Sequence, residues 1–274
     1  MSNAAKSTQT NPESSILDSG LTQAFAKRKA FIPFITCGDP SLEFNERAIF
    51  TLIENGADII ELGIPFSDPV AEGAVIQAAT ARALESGTRL KDIFSLVERV
   101  RAKSNIPLVF MTYANIVFSH GSRWFFDQAR RLGVNGVIIP DVPYEERGEF
   151  LPYTQGVDLI SLIAPTSDDR IDHIAKDAQG FIYCVSSLGV TGVRNALEIN
   201  AKTIARIKQA SSVPVAVGFG ISTPEQAREI AKYADGVIIG SAIVQICAQH
   251  DKNHEQRLEE LGSYATSIRN ALDS

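Results

Sequence analysis

Eight short apolar runs, each closed by a turn and followed by a helical pattern, leave this chain few folds to choose from. They span residues 31–36, 59–62, 106–113, 136–139, 157–163, 181–185, 213–217 and 236–239. Each is continuously apolar rather than alternating, so both of its faces must be covered, which is the mark of strands in a parallel sheet. Between and after them, apolar residues recur at helical spacing over 42–55, 75–86, 90–103, 121–132, 144–153, 168–178, 199–210, 223–233, 242–249 and 255–272. An amphipathic segment over 15–29 precedes the first run. Eight βα units with no long linker predict a single (β/α)8 TIM barrel, an α/β fold. The same count predicts an extra N-terminal helix and extra helices after strands 2 and 8. A doubly wound open sheet is the competing fold, and no G-x-G-x-x-G occupies the first βα turn to favour it. The 274 residues suit one barrel domain over 15–274, preceded by a polar, aromatic-free tail over 1–14 that is expected to be disordered.

Composition narrows the function. A net charge of −6, with no Lys/Arg cluster interleaved with aromatics, argues against nucleic acid as a partner. Cys37, Cys184 and Cys247 lie far apart without metal-type spacing, so buried free thiols in a reducing, cytoplasmic setting are expected. The four histidines form no metal motif. His250 and His254 could share a helix face, expected to be solvated, and no metal site is predicted. No apolar run approaches the roughly 18 residues of a membrane span, and the N-terminus lacks the apolar centre of a secretory signal.

The chemistry concentrates in 58–77, DIIELGIPFSDPVAEGAVIQ. Its first half reads as a buried strand carrying one carboxylate, Glu61. A carboxylate among isoleucines is costly unless it is paired or put to use. A polar loop with Ser67, Asp68 and Glu72 follows, at the strand end where barrels mount their catalytic groups. A salt-bridged or capping role for Glu61 stays open on this stretch alone. Asp39, Asp68, Glu72 and Asp141 are further acids at strand ends or in the loops after them. The last two strands end in Gly218-Phe219-Gly220 and Gly240-Ser241, both feeding helices. Glycines there let a ligand approach the backbone, and loops after strands 7 and 8 are where barrels bind phosphate. The loop after the sixth run, with Gly189, Thr191 and Gly192, could add amides. Phe34, Tyr113, Ile138 and Phe219 at strand ends would line a flat apolar pocket, with barrel-core packing as the plainer role for Phe34 and Ile138. The substrate is therefore expected to be a small phosphorylated molecule whose reactive end points toward Glu61.

Seven segments carry a family resemblance: PFITCGDP (Pro33–Pro40), ELGIPFSDP (Glu61–Pro69), MTYAN (Met111–Asn115), PDVP (Pro140–Pro143), GVTG (Gly189–Gly192), GFGIS (Gly218–Ser222) and GSAIV (Gly240–Val244). In order and spacing the chain from about Leu21 onward resembles the tryptophan synthase α-subunit family. The resemblance implies a (β/α)8 lyase that cleaves indole-3-glycerol phosphate to indole and glyceraldehyde 3-phosphate. It implies an α2β2 complex in which pyridoxal phosphate belongs to the β subunit alone, so that this chain carries no cofactor. By resemblance Glu61 is the general acid/base, and Glu72 stands where a second acid stabilises the indolenine N–H. Phe34, Tyr113, Ile138 and Tyr183 match the indole pocket, and Gly192, Gly220, Gly240 and Ser241 match the phosphate site. Thr191 matches a closing-loop residue that steadies the second acid, and Phe66–Pro69 match a loop that touches the β subunit.

The chain departs from the family's pattern at Glu72-Gly73-Ala74, where the family carries Asp-Gly-Pro, and at Ser187-Leu188, where an Arg-Ser pair is common. The extra methylene moves the second carboxylate by about a bond length, a misplacement of a size that can cost about 100-fold in rate. A slow reaction that leans on the β partner is therefore expected. Two rivals stay open. A Schiff-base aldolase would need a lysine at a strand end, and the lysines here fall mainly in helical segments. A non-catalytic subunit that only activates its partner would tolerate Glu72.

Overall fold

The computed structural model describes residues 20–186 and 193–274. The 1–14 tail, most of the first half of the 15–29 segment, and the loop holding Gly189, Thr191 and Gly192 lie outside the described residues. Nine parallel strands form one sheet: β1 (Ala30–Thr36), β2 (Ile60–Gly63), β3 (Leu108–Met111), β4 (Gly136–Ile138), β5 (Asp158–Leu159), β6 (Ser161–Ile163), β7 (Ile182–Val185), β8 (Val215–Gly218) and β9 (Gly236–Ile239). Their order is β5-β4-β3-β2-β1-β9-β8-β7-β6, with every pairing parallel.

The two ends of that order, β5 and β6, are separated along the chain by Ile160 alone. They are two halves of the fifth apolar run, which therefore closes the sheet into a barrel. β5 pairs with β4 (Val137 opposite Leu159), and β6 pairs with β7 (Ser161 opposite Ile182). The run is read as one strand from sequence. It divides because each half takes its hydrogen bonds from a different neighbour.

Side chains alternate across the wall. Ile32, Phe34, Ile59, Val109, Met111, Ile138, Phe181, Tyr183, Ala216 and Ile238 form the inner cluster. Phe31, Ile35, Leu62, Phe110, Val137, Cys184, Val217 and Val237 face outward and meet the helices. Both faces are buried, which is why the strands read as continuously apolar.

Helix starts follow local chemistry where the cap is local. Ser41 caps Leu42–Glu54 through the Phe44 amide, and Thr223 and Gln226 form a capping box on Pro224–Ala231 with proline inside the first turn. The pairs Ala74–Glu85 with Leu90–Arg101 and Ser241–Cys247 with His254–Asp273 are the extra helices expected after the second and last β-runs.

Other elements also differ from the sequence reading, among them the 168–178 helix, which is a 3-10 turn (Pro165–Arg170) and a short helix (Ile171–Lys176). The N-terminal helix, expected over 15–29, covers Leu21–Ala24 among the described residues. A helix at Ala114–His120 was not foreseen, since its cap is Asp141 from the β4 loop, which accepts from the Ala114 amide at 3.0 and 3.2 Å. The 144–153 helix is two short 3-10 turns, Tyr144–Glu149 and Leu151–Tyr153. Trp124 rests on Phe94 and leaves 43% of its surface in solvent. His250 and His254 share no helix: His254 begins Ala-containing helix His254–Asp273 and sets its ring edge against Phe44.

Candidate active site

Glu61 is the second residue of β2, between Phe34 on β1 and Val109 on β3 in register. Strand alternation turns it into the barrel, where it is 1% exposed and one carboxylate oxygen, Oε2, has no hydrogen-bond partner. Among the described residues no cation holds it, which disfavours the salt-bridge reading left open by the sequence. Burial, and next the charge of Glu72, push its pKa from 4.5 up to about 8. At neutral pH Glu61 therefore carries its proton.

Glu72 comes from the loop after β2. Tyr113 donates to its Oε1 at 3.3 Å. The Glu72 pKa is raised, chiefly by burial, and Tyr113 and the buried Thr80 hydroxyl partly offset the rise. Its Oε2 is buried without a partner. The loop is tied further, since Gln77 donates to the Glu72 carbonyl at 2.7 Å and Ala71 donates to the Tyr113 hydroxyl at 3.4 Å. Tyr113 is 1% exposed and stacks on Phe66 at 5.0 Å; burial and then the Glu72 charge push its own pKa up to about 12.

A cavity of about 360 Å³ opens above these acids. Phe34, Glu61, Glu72, Tyr183, Phe219, Gly220, Gly240 and Ser241 line it, so eight of the sequence-derived candidates meet at one place. Met111, Ile76, Ile238 and Ile221 also line it. Sequence reading missed these four because an apolar side chain looks the same whether it faces a core or a ligand. Tyr113 reaches the site through Glu72. Ile138 is fully buried in the inner cluster and is not part of the lining. Thr191 and Gly192 lie outside the described residues.

The wall opposite Glu61 is built from tight backbone. Phe219 and Gly220 adopt consecutive left-handed conformations, at φ of 73° and 75°, and Phe219 alone among described non-glycine residues has positive φ. Such a conformation costs of order 1–3 kcal/mol outside glycine. It swings the Phe219 ring over Tyr183, with centroids 6.3 Å apart. Tyr183 rises beside Gly218, where an added Cβ would sit 2.3 Å from its hydroxyl oxygen. Gly240 precedes helix Ser241–Cys247 with no side-chain cap, so the first amides of that helix face the cavity unsatisfied by a capping group.

The other strand-end acids are spoken for. Asp39 is 2% exposed and takes two bonds from Arg82, at 2.8 and 2.7 Å, pinning the helix after the Glu72 loop to the end of β1. Asp141 caps a helix, and Asp68 is exposed. Cys37, Cys184 and Cys247 are free and buried, with thiol pKa values pushed up to about 12 by burial. No group of three His, Cys, Asp or Glu that could hold a metal occurs among the described residues, and no helix among them is long and apolar enough to cross a membrane.

A family model described as tryptophan synthase alpha chain matches residues 22–273. The chain is 48% identical over 262 residues to the tryptophan synthase alpha chain of Lacticaseibacillus casei, covering 94% of this chain and 97% of that one. It is 49% identical over 257 residues to that of Lactiplantibacillus plantarum, covering 92% and 96%. Among solved structures, the tryptophan synthase subunit alpha of Legionella pneumophila superposes with a TM-score of 0.83 at 34% identity, covering 92% of this chain and 98% of that one. A structure of the tryptophan synthase α2β2 complex from Pyrococcus furiosus matches with a TM-score of 0.81 at 35% identity, covering 89% and 99%.

Proposed function

This chain belongs to the tryptophan synthase alpha chain family, and from that premise we propose how its own residues carry the reaction. It is a carbon–carbon lyase of tryptophan biosynthesis, cleaving indole-3-glycerol phosphate to indole and glyceraldehyde 3-phosphate as the α subunit beside a β-subunit partner.

In the proposed mechanism Glu61 begins protonated. Its proton goes to C3 of the indole ring, which turns the ring into an indolenine cation with its positive charge at N1–H. The ionised Glu72 carboxylate accepts a hydrogen bond from that N–H and stabilises the charge. Glu61, now a carboxylate, takes the proton from the hydroxyl on the glycerol carbon bonded to C3. The C3–carbon bond breaks, its electron pair returns to the indole ring, and the aldehyde C=O forms. Glu61 ends protonated, as it began. The two acids must hold different protonation states at one pH. Burial raises the pKa of both, but Glu61 has no donor among the described residues, whereas Tyr113 donates to Glu72 and, with Thr80, holds back the rise there.

The indole would lie among Phe34, Tyr183, Met111 and Phe219, with Ile138 as packing behind them. The phosphate would take amides at Gly220, Gly240 and Ser241, with Thr191 and Gly192 added from the loop after β7. Phe66–Pro69 would touch the β subunit of an α2β2 assembly; next to them Val70 is 75% exposed. Pyridoxal phosphate belongs to that partner, and no step above needs a cofactor in this chain. The free, buried cysteines fit a cytoplasmic setting.

The observation that carries the reading is the unpaired, buried Glu61 in the same cavity as the Gly220 and Gly240–Ser241 turns. The test is indole release from indole-3-glycerol phosphate by the purified chain, alone and with a β subunit. Glu61→Gln should lower kcat by about 10³-fold or more, since it removes both an acid and a base step. Turnover by Glu61→Gln within a few-fold of the parent chain would overturn the mechanism. Absence of turnover by the parent chain in both settings would leave the non-catalytic rival standing.

A further inference from the structure

A second cavity, of about 150 Å³, lies on the outer side of the barrel wall, apart from the site above. Its origin is the fourth βα unit. There the wall is covered by the 3-10 turn Tyr144–Glu149 in place of a longer α-helix, and the gap between that turn and β6 stays open. The volume is several times what one water needs.

What faces the gap is cationic and donor-rich. Arg147 is 8% exposed, and its Nε is buried without a hydrogen-bond partner. Its guanidinium lies over the Tyr144 ring at 5.4 Å and has no ion pair among the described residues. Ser161, from the outward face of β6, is 5% exposed with its hydroxyl unpartnered. Ser167 accepts from the Ala164 amide at 3.2 Å, which leaves its hydroxyl hydrogen free to donate. Arg170 stands at the rim, held by Glu145 at 3.2 Å. Among the described residues no acid lines the cavity. On its other side Arg147 borders Asp177, engaged by the Tyr144 hydroxyl, and Glu145, engaged by Arg170.

A guanidinium does not give up its proton to escape burial. A buried, unpaired one is expensive, and buried charges are as a rule matched by an opposite charge. Two buried donors from separate elements, both orphaned and both on one cavity with no acid among its described lining, specify the missing partner: a group with several acceptor oxygens and negative charge. We propose that this cavity binds a small oxyanion, of the phosphate, sulfate or carboxylate class, gripped by Arg147, Ser161 and Ser167 with Arg170 closing the mouth. The proposal is independent of the lyase mechanism, because none of these residues lines the Glu61 cavity.

The experiment uses crystals of the full chain soaked in selenate, paired with thermal-shift titrations at constant ionic strength. The titrations use inorganic phosphate in one arm and acetate in the other, which separates a tetrahedral anion from a carboxylate. The expected result is an anomalous peak within hydrogen-bond distance of Arg147 and Ser161, lost in Arg147→Gln. Ser161→Ala, which keeps the charge and removes only a donor on the barrel wall, should weaken anion binding roughly tenfold, as loss of a hydrogen bond to a charged ligand does. It keeps the test decisive should Arg147→Gln fail to fold. Water alone in the cavity of the soaked crystals would overturn the proposal. So would a peak that survives Arg147→Gln, which would mark an adventitious ion only.

Discussion

Glu72→Gln is the substitution that separates the two carboxylates most sharply. Glutamine keeps the length and an acceptor for Tyr113, which lies 3.3 Å from the present carboxylate, so the loop should stay in place. What disappears is the negative charge. Two effects are expected. First, the indolenine N–H loses its ionic acceptor, and loss of one such electrostatic contact lowers kcat by about 10²–10³-fold, or about 3–4 kcal/mol. Second, Glu61 is freed of a repelling neighbour. Its pKa should fall from about 8 but remain above 4.5, because burial is the larger cause of the rise and is untouched. The parent chain needs Glu61 protonated and Glu72 ionised, so its rate should fall both above the Glu61 pKa and below the Glu72 pKa. In Glu72→Gln the alkaline limb should move to lower pH and the acid limb should vanish. The assay is indole release from indole-3-glycerol phosphate across pH 5–9 with a β subunit present. An unchanged kcat, or an alkaline limb that stays put or moves upward, would refute the pairing of the two acids.

The remaining predictions concern stability. Arg82→Met strands the Asp39 carboxylate, 2% exposed and now held by two bonds, and should destabilise the chain by about 3 kcal/mol in urea unfolding. A loss under about 0.5 kcal/mol would mean the pair behaves as a surface contact. Glu61 ionises near 4.5 unfolded and about 8 folded, so folding favours its protonated form and the parent chain loses stability as pH rises between those values. Glu61→Gln has no proton to lose. Its thermal stability relative to the parent should therefore improve from pH 4.5 to pH 8.5, by up to several kcal/mol, and a difference that is flat with pH would contradict the burial of an ionisable group at that position.

The barrel was legible because its strands are buried on both faces and its helices carry their own caps, as Ser41 and Thr223 do. What escaped was set by distant partners. The break at Ile160 depends on which neighbour each half of the fifth run meets, and Ala114–His120 depends on a cap from Asp141. In the site, Glu61, Glu72 and the glycine turns announced themselves by chemical type: an acid among isoleucines, and glycines feeding helices. Met111, Ile76, Ile221 and Ile238 did not, since an apolar residue is silent about whether it touches core or ligand. Arg147 was silent for another reason. An arginine in a polar segment reads as solvated, and only the thin covering of the fourth unit buries it.

The proposed chemistry requires that Glu61 hold a proton at neutral pH, buried in the barrel with no donor among the described residues. The direct measurement is the titration of its side-chain carboxyl carbon by ¹³C NMR in the full chain, with the resonance assigned by its absence from Glu61→Gln. A midpoint near 8 is the predicted result. A midpoint at the ordinary glutamate value, near 4.5, would mean that Glu61 is ionised when the substrate arrives and cannot be the acid that protonates the ring.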